Sequence, residues 1–293
     1  MAIGNAQETP VRYPDQFYIG GEWATPSSGH LIDVVQPATE NVWARVAQAR
    51  KPDVHRAVAA AREAFDRGPW PRLSHAERAR YLRAIADGLR ARAADLAYIW
   101  ASEMGILHVD AVARGARIPG IYDFYAGLAD SFEFVERHKP AGGGYGWLVR
   151  EPVGVVGAII PWNAAIVAMS WKIAPALLAG CTVVLKSAPE APVAAYLLAE
   201  VAEQAHLPAG VLNIITAERE VSEELVRHPG IDKVSFTGST VAGKRIAGIC
   251  AERVARVNLE LGGKSAALVL DDYDIGAAAA RSEERRVGKE CLE

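Results

Sequence analysis

Four stretches of the chain place reactive side chain types where backbone geometry can fix them. The first is Ile159-Ile160-Pro161-Trp162-Asn163, where a rigid Pro-Trp turn follows an apolar run and presents a side-chain amide. In parallel α/β sheets ligands bind outside the carboxyl ends of strands. An amide held there can donate to a developing oxyanion, worth roughly 3–4 kcal/mol of barrier; equally, Asn163 can cap the next helix. The second is Phe236-Thr237-Gly238-Ser239-Thr240, an apolar strand running into a helix. Free N–H groups and a hydroxyl at a helix start suit a phosphate, although an ordinary Ser cap reads the same way. It is neither G-x-G-x-x-G nor a P-loop. The third is Leu259-Glu260-Leu261-Gly262-Gly263-Lys264, where apolar neighbours and two glycines frame a carboxylate. Burial would raise its pKa and suit it to general-base work; the alternative is a surface glutamate before a turn. The fourth is Lys186, at the end of Thr182–Lys186. It can reach the ribose hydroxyls or phosphate of a nucleotide, or be the solvated end of a strand.

Those residues need elements to hold them. Apolar runs at Val153–Ile160, Thr182–Lys186, Val211–Ile215, Lys233–Phe236 and Val257–Glu260 read as strands. Helical patterns alternate with them at Met169–Ala179, Val193–Ala205, Val221–Arg227 and Thr240–Arg253. Near-continuous apolar strands alternating with helices predict a doubly wound α/β domain, a parallel sheet covered on both faces. Upstream, strands are expected at Phe17–Gly20 and Leu31–Val35. A helix from Pro52-Asp53 carries Val54, Val58, Ala61 and Phe65 on one face, and a second begins at the capping box Ser74-His75-Ala76-Glu77. A third helical region spans Val109–Val135, interrupted by Pro119-Gly120, and residues 141–146 form a loop or hairpin tip.

Bulk properties narrow the function classes. The chain has 293 residues, with 51% hydrophobic and 23% charged residues, ordinary for a globular protein of about two domains. A net charge of −3 leaves no electrostatic footprint for nucleic acid. Three cysteines at wide spacing make neither a disulfide framework nor a metal cluster, so a reducing, cytoplasmic setting is expected. The N-terminus lacks the pattern of a signal peptide, and Val153–Ile160 is too short to span a bilayer.

The order of the motifs is more specific than any one of them. Pro161-Trp162-Asn163, then Trp171-Lys172-Ile173-Ala174-Pro175, Val184-Leu185-Lys186, Phe236-Thr237-Gly238-Ser239 and Leu259-Glu260-Leu261-Gly262-Gly263-Lys264 together resemble the aldehyde dehydrogenase superfamily. The resemblance begins near Tyr13, includes Ile19-Gly20-Gly21-Glu22-Trp23, and runs to Ala280. It implies a Rossmann-like cofactor domain over 13–136 and 154–262, an inserted oligomerisation hairpin at 137–153, and only the start of a catalytic domain at 263–280. A flexible N-terminus is expected over 1–12. By the same resemblance, an aldehyde is oxidised to a carboxylic acid through a cysteine thioester, with hydride passing to NAD, or to NADP. Asn163 would hold the oxyanion, Glu260 would activate the hydrolytic water, and Lys172 would lie near the proton path or serve structure. Ile160, Trp162, Lys186, Glu190, Gly238, Ser239 and Leu261 would contact the cofactor. Many NAD-preferring members carry a glutamate three residues after the lysine; here that position is Pro189 and the carboxylate is Glu190. The parent protein is expected to be a homodimer or homotetramer, with no metal, nucleic acid or membrane partner.

The nucleophile departs from the pattern. The family's cysteine stands in a Gly-Gln-x-Cys context, whereas Cys291 follows Gly288-Lys289-Glu290 within the charged segment Arg281–Cys291. That segment can be encoded by a nucleotide string resembling a sequencing adapter, so 281–293 is expected to be artefactual and the reading frame truncated. Cys181 and Cys250 are expected to be buried core. The 293-residue chain is therefore expected to be inactive; a natural truncated dinucleotide-binding module is the alternative.

Overall fold

The computed structural model describes residues 9–264 and 266–279, so the segment 281–293, with Cys291, lies outside the described residues. At the N-terminal end, β1 (Phe17–Ile19) and β2 (Glu22–Ala24) form a hairpin around Gly20 and Gly21, both at positive φ (67° and 84°). That backbone region favours glycine because it has no Cβ to clash. A separate antiparallel pair joins β3 (Leu31–Gln36) to β4 (Asn41–Ala47). Five helices follow: α1 (Lys51–Asp66), α2 (His75–Ala91), α3 (Ala93–Met104), α4 (His108–Gly115) and α5 (Ile118–Ser131). The capping box at the start of α2 forms as its sequence predicts. The Ser74 Oγ accepts from the Glu77 N–H at 3.2 Å, while the Ser74 N–H donates to the Glu77 carboxylate at 2.7 Å.

The region 109–135 is two helices rather than one interrupted helix. The break falls at Ala116–Arg117, and Pro119 sits in the first turn of α5. A proline there removes an N–H that has no intrahelical acceptor, so it starts a helix instead of breaking one. The sequence reading also passed over α3, β2 and β4. It began the helix after Asn163 four residues late, because Ala165 to Ala168 carry no strong period.

A hairpin of β5 (Val135–His138) and β6 (Gly146–Val149) intervenes, its tip at Gly143 and Gly144. Then the chain alternates: β7 (Val155–Ile159), α6 (Ala165–Ala179), β8 (Thr182–Ser187), α7 (Val193–Gln204), β9 (Leu212–Thr216), α8 (Arg219–Arg227), β10 (Lys233–Gly238), α9 (Thr240–Glu252) and β11 (Arg256–Leu261). The main sheet has the order β11-β10-β7-β8-β9-β1-β2. Pairing is parallel from β11 to β9 and antiparallel from β9 through β1 to β2.

Side chains of the central strands point alternately into two cores. Val155, Ile159, Val184 and Ile215 pack with α1, α8 and α9. Val156, Ala158, Leu185 and Ile214 pack on the opposite face against α6 and α7, behind which α2, α3 and α5 form an outer layer. Burial on both faces explains why these strands read as continuous apolar runs. The doubly wound α/β fold expected from the sequence is the one observed.

Candidate functional site at the strand reversal

From β7 the chain winds outward through β8 and β9, then returns to β7's other side with β10 and β11. The reversal falls between β7 and β10, and doubly wound sheets bind ligands outside the carboxyl ends of the strands at such a point. The Pro161-Trp162-Asn163 turn follows β7 and the Gly238-Ser239 turn follows β10, so both motifs flank it. Register sets the spacing. Ile159 pairs with Phe236, which pairs with Leu259. One residue beyond that row Thr237 pairs with Glu260, so Glu260 stands two strand spacings, about 10 Å, from the end of β7.

Asn163 does not cap α6. The cap is Ala164, with no side-chain hydrogen bond, so the capping alternative falls. The turn is anchored from outside instead: the Trp100 indole N–H on α3 donates to the Asn163 carbonyl at 3.3 Å. Trp162 is partly exposed and Ile160 is buried. Ser239 does cap α9, its Oγ accepting from the Ala242 N–H at 3.3 Å. That cap engages the Ala242 N–H and leaves the other N–H groups of the first turn without an intrahelical acceptor. A Cβ on Gly238 would lie 2.5 Å from the Phe236 ring, and one on Gly243 would lie 2.5 Å from Leu261. A side chain where β10 turns into α9, or where α9 rests on β11, would therefore have to displace the Phe236 ring or the Leu261 side chain.

Lys186 is not a solvated strand end. It is 7% exposed on β8, paired with Ile159 and Ile215, and its carbonyl accepts from the Ile160 N–H at 3.3 Å. Burial pushes its ammonium down to about 8, opposed by the nearby negative charge of Glu190, itself exposed. Lys172, on α6, is also buried and donates to the Ser235 hydroxyl at 3.1 Å. Burial likewise lowers it to about 8, with Glu260 pulling upward and Lys233 downward.

Glu260 corrects one expectation. It is exposed, not buried, because β11 is the edge strand and nothing among the described residues covers its outer side. Its carboxylate accepts from the Asn258 side chain at 3.4 Å. Trp100, Ser235 and Asn258 were missed by sequence reasoning. Ser235 did leave a signal, as a polar residue between Val234 and Phe236 in an apolar strand. On α6, Met169 is fully buried in the core and Trp171 is exposed. Cys181 and Cys250 are buried as expected. Among the described residues no group of His, Cys, Asp or Glu is placed to hold a metal, and no helix is long and apolar enough to cross a membrane.

The strand order and its reversal define a doubly wound α/β protein. The model of the aldehyde dehydrogenase family matches residues 23–290, and the chain belongs to that family. It is 43% identical over 262 residues to geranial dehydrogenase of Castellaniella defragrans, covering 89% of this chain and 55% of that protein. It is 40% identical to betaine aldehyde dehydrogenase 1 of rice (Oryza sativa), covering 89% and 53%. Among solved structures, a Mycobacterium tuberculosis aldehyde dehydrogenase complexed with NAD+ superposes with a TM-score of 0.87 at 42% identity, covering 90% of this chain and 55% of that one. The chain thus spans about half the length of the relatives it matches.

Proposed function

We propose that this chain is the cofactor-binding part of an enzyme that oxidises an aldehyde to a carboxylic acid with NAD as hydride acceptor. The observation that carries the reading is the gathering of Asn163, Lys186, Ser239 and Glu260 around one strand reversal in a member of this family. The donor set fits a dinucleotide: a buried ammonium at the end of β8 and N–H groups without an intrahelical acceptor at the start of α9 match ribose hydroxyls and pyrophosphate. Lys186 and Ser239 would hold those groups, with Ile160, Trp162, Gly238 and Leu261 bordering them. When bound, NAD supplies the hydride acceptor. Glu190, beside Lys186, would disfavour a 2′-phosphate and so favour NAD over NADP.

The chain's own residues then have separate tasks. The Asn163 amide donates to the aldehyde oxygen as negative charge develops. Glu260 takes a proton from the water that hydrolyses the thioester. Lys172 positions Glu260 through charge, from its anchor on Ser235. Neither described cysteine serves as nucleophile: Cys181 and Cys250 are buried, and burial pushes both thiols up, away from the thiolate. Cys291 lacks the Gly-Gln-x-Cys context, so we infer that the 293-residue chain alone reduces no NAD, and turnover by it would refute that part. The cysteine comes with the rest of a full-length protein, which we place in the cytoplasm as a homodimer or homotetramer joined through the β5–β6 hairpin.

The test uses the full-length protein. Asn163→Ala is expected to slow the first turnover by about 10²–10³-fold. Glu260→Gln should leave a burst of NADH and remove steady-state turnover. A Glu260→Gln protein with normal steady-state turnover contradicts the assignment.

A further inference from the structure

The turn that carries Asn163 is held from several directions. On the strand side the Ile160 N–H donates to the Lys186 carbonyl at 3.3 Å. On the helix side the Ala168 N–H donates to the Ala164 carbonyl at 2.9 Å. Between them the Trp100 indole N–H donates to the Asn163 carbonyl at 3.3 Å, across 63 residues of sequence. Trp100 is 7% exposed, so the ring that carries this donor is itself packed into the core.

The helix behind the indole is fastened in turn. Three residues after Trp100, and so on the same face of α3, the buried Glu103 accepts the Val193 N–H at 2.6 Å at the start of α7. Helix α3 therefore joins the turn after β7 to the helix that follows β8, the strand of Lys186. Pro161 fixes its own φ two residues before Asn163, and the indole bond fixes the peptide plane directly after it. The Asn163 side chain thus leaves a backbone held on both sides. An amide stabilises developing negative charge to the extent that it is aimed before the reaction begins. Resting on the reading of Asn163 as the oxyanion donor, we propose that Trp100 is a positioning residue for the aldehyde oxidation, setting the Asn163 amide through the bond from its indole N–H to the Asn163 carbonyl.

The experiment measures the NADH burst, the aldehyde KM and the NAD dissociation constant of the full-length protein. It compares Trp100→Phe, Asn163→Ala and the double variant. Trp100→Phe keeps an aromatic ring in the core and removes the N–H. It is expected to slow the burst at least about fivefold, the effect of one hydrogen bond felt at the transition state. The aldehyde KM and the NAD dissociation constant are expected to stay unchanged. In the Asn163→Ala protein no amide remains to be aimed, so the same substitution should cost nothing further. A ring that only fills space would slow both backgrounds by the same factor. A benzothiophene in place of the Trp100 indole keeps the bicyclic shape and removes only the N–H, and it repeats the comparison if Trp100→Phe does not fold. A normal burst without the N–H, a loss confined to aldehyde KM or NAD binding, or equal losses in both backgrounds overturns the proposal. Asn163→Ala at the normal burst rate overturns instead the reading of Asn163 on which it rests.

Discussion

At the scale of single residues, the two buried lysines carry the most consequence. Lys186 near the end of β8 and Lys172 in the middle of α6 each lose hydration, and each is brought down to about 8. A lysine whose pKa is lowered is charged below that value and neutral above it. Affinity for an anionic dinucleotide is therefore expected to fall as pH rises through about 8, and Lys186→Gln to flatten that dependence. Calorimetric NAD titrations across that range check it; an unchanged slope in the variant counts against Lys186 as the phosphate or ribose contact. Glu190→Gln should narrow the preference for NAD over NADP, read from the ratio of the two dissociation constants. The sequence singles out Asn163 and Ser239 because each follows an apolar strand, and Lys186 and Glu260 because each stands near the end of one. Their surroundings are not legible there. The exposure of Glu260 follows from β11 being an edge, and the anchoring of Asn163 follows from Trp100 on a helix far away in sequence; neither leaves a local trace.

At the scale of elements, the α3–α7 contact shows how a helix absent from the sequence reading earns its place. Glu103, near the end of α3, is buried and accepts the Val193 N–H at 2.6 Å, so it caps α7 from another helix. Burial pushes its carboxyl up to about 8, against the hydrogen bonds from Val193 and Ala194. The sign follows directly. Below about pH 4.5 both folded and unfolded chains hold the proton. Above it the unfolded chain releases the proton while the folded one keeps it, so stability falls with rising pH up to about 8. The slope approaches about 1.4 kcal/mol per pH unit. Glu103→Gln keeps an acceptor and removes the titration, so its denaturation midpoint should vary less between those limits. Matching slopes in the two proteins would contradict this. Strands and helices of the β7–β11 series were legible because period and burial agree there. Helix α3 was not, since it is buried on more than one side and its apolar residues form no single stripe.

At the scale of the whole molecule, two of the exposed apolar surfaces bear on association. The hairpin exposes Tyr145, Trp147, Leu148 and Val149, and β11 exposes Val257 and Leu261 along an unpaired edge. Patches and edges of this kind associate. The 293-residue chain is expected to sediment as concentration-dependent assemblies, and Trp147→Glu with Leu148→Lys to shift it toward monomer. A monomer at all concentrations would show that these surfaces do not associate in the isolated chain. The central claim, that the strand reversal is a dinucleotide site, needs none of the missing chemistry. It is tested most directly by titrating NAD into the purified chain and into Lys186→Met. The account predicts saturable binding at one site per chain, weakened in the variant. No binding by a folded chain, or equal binding by both, would contradict it.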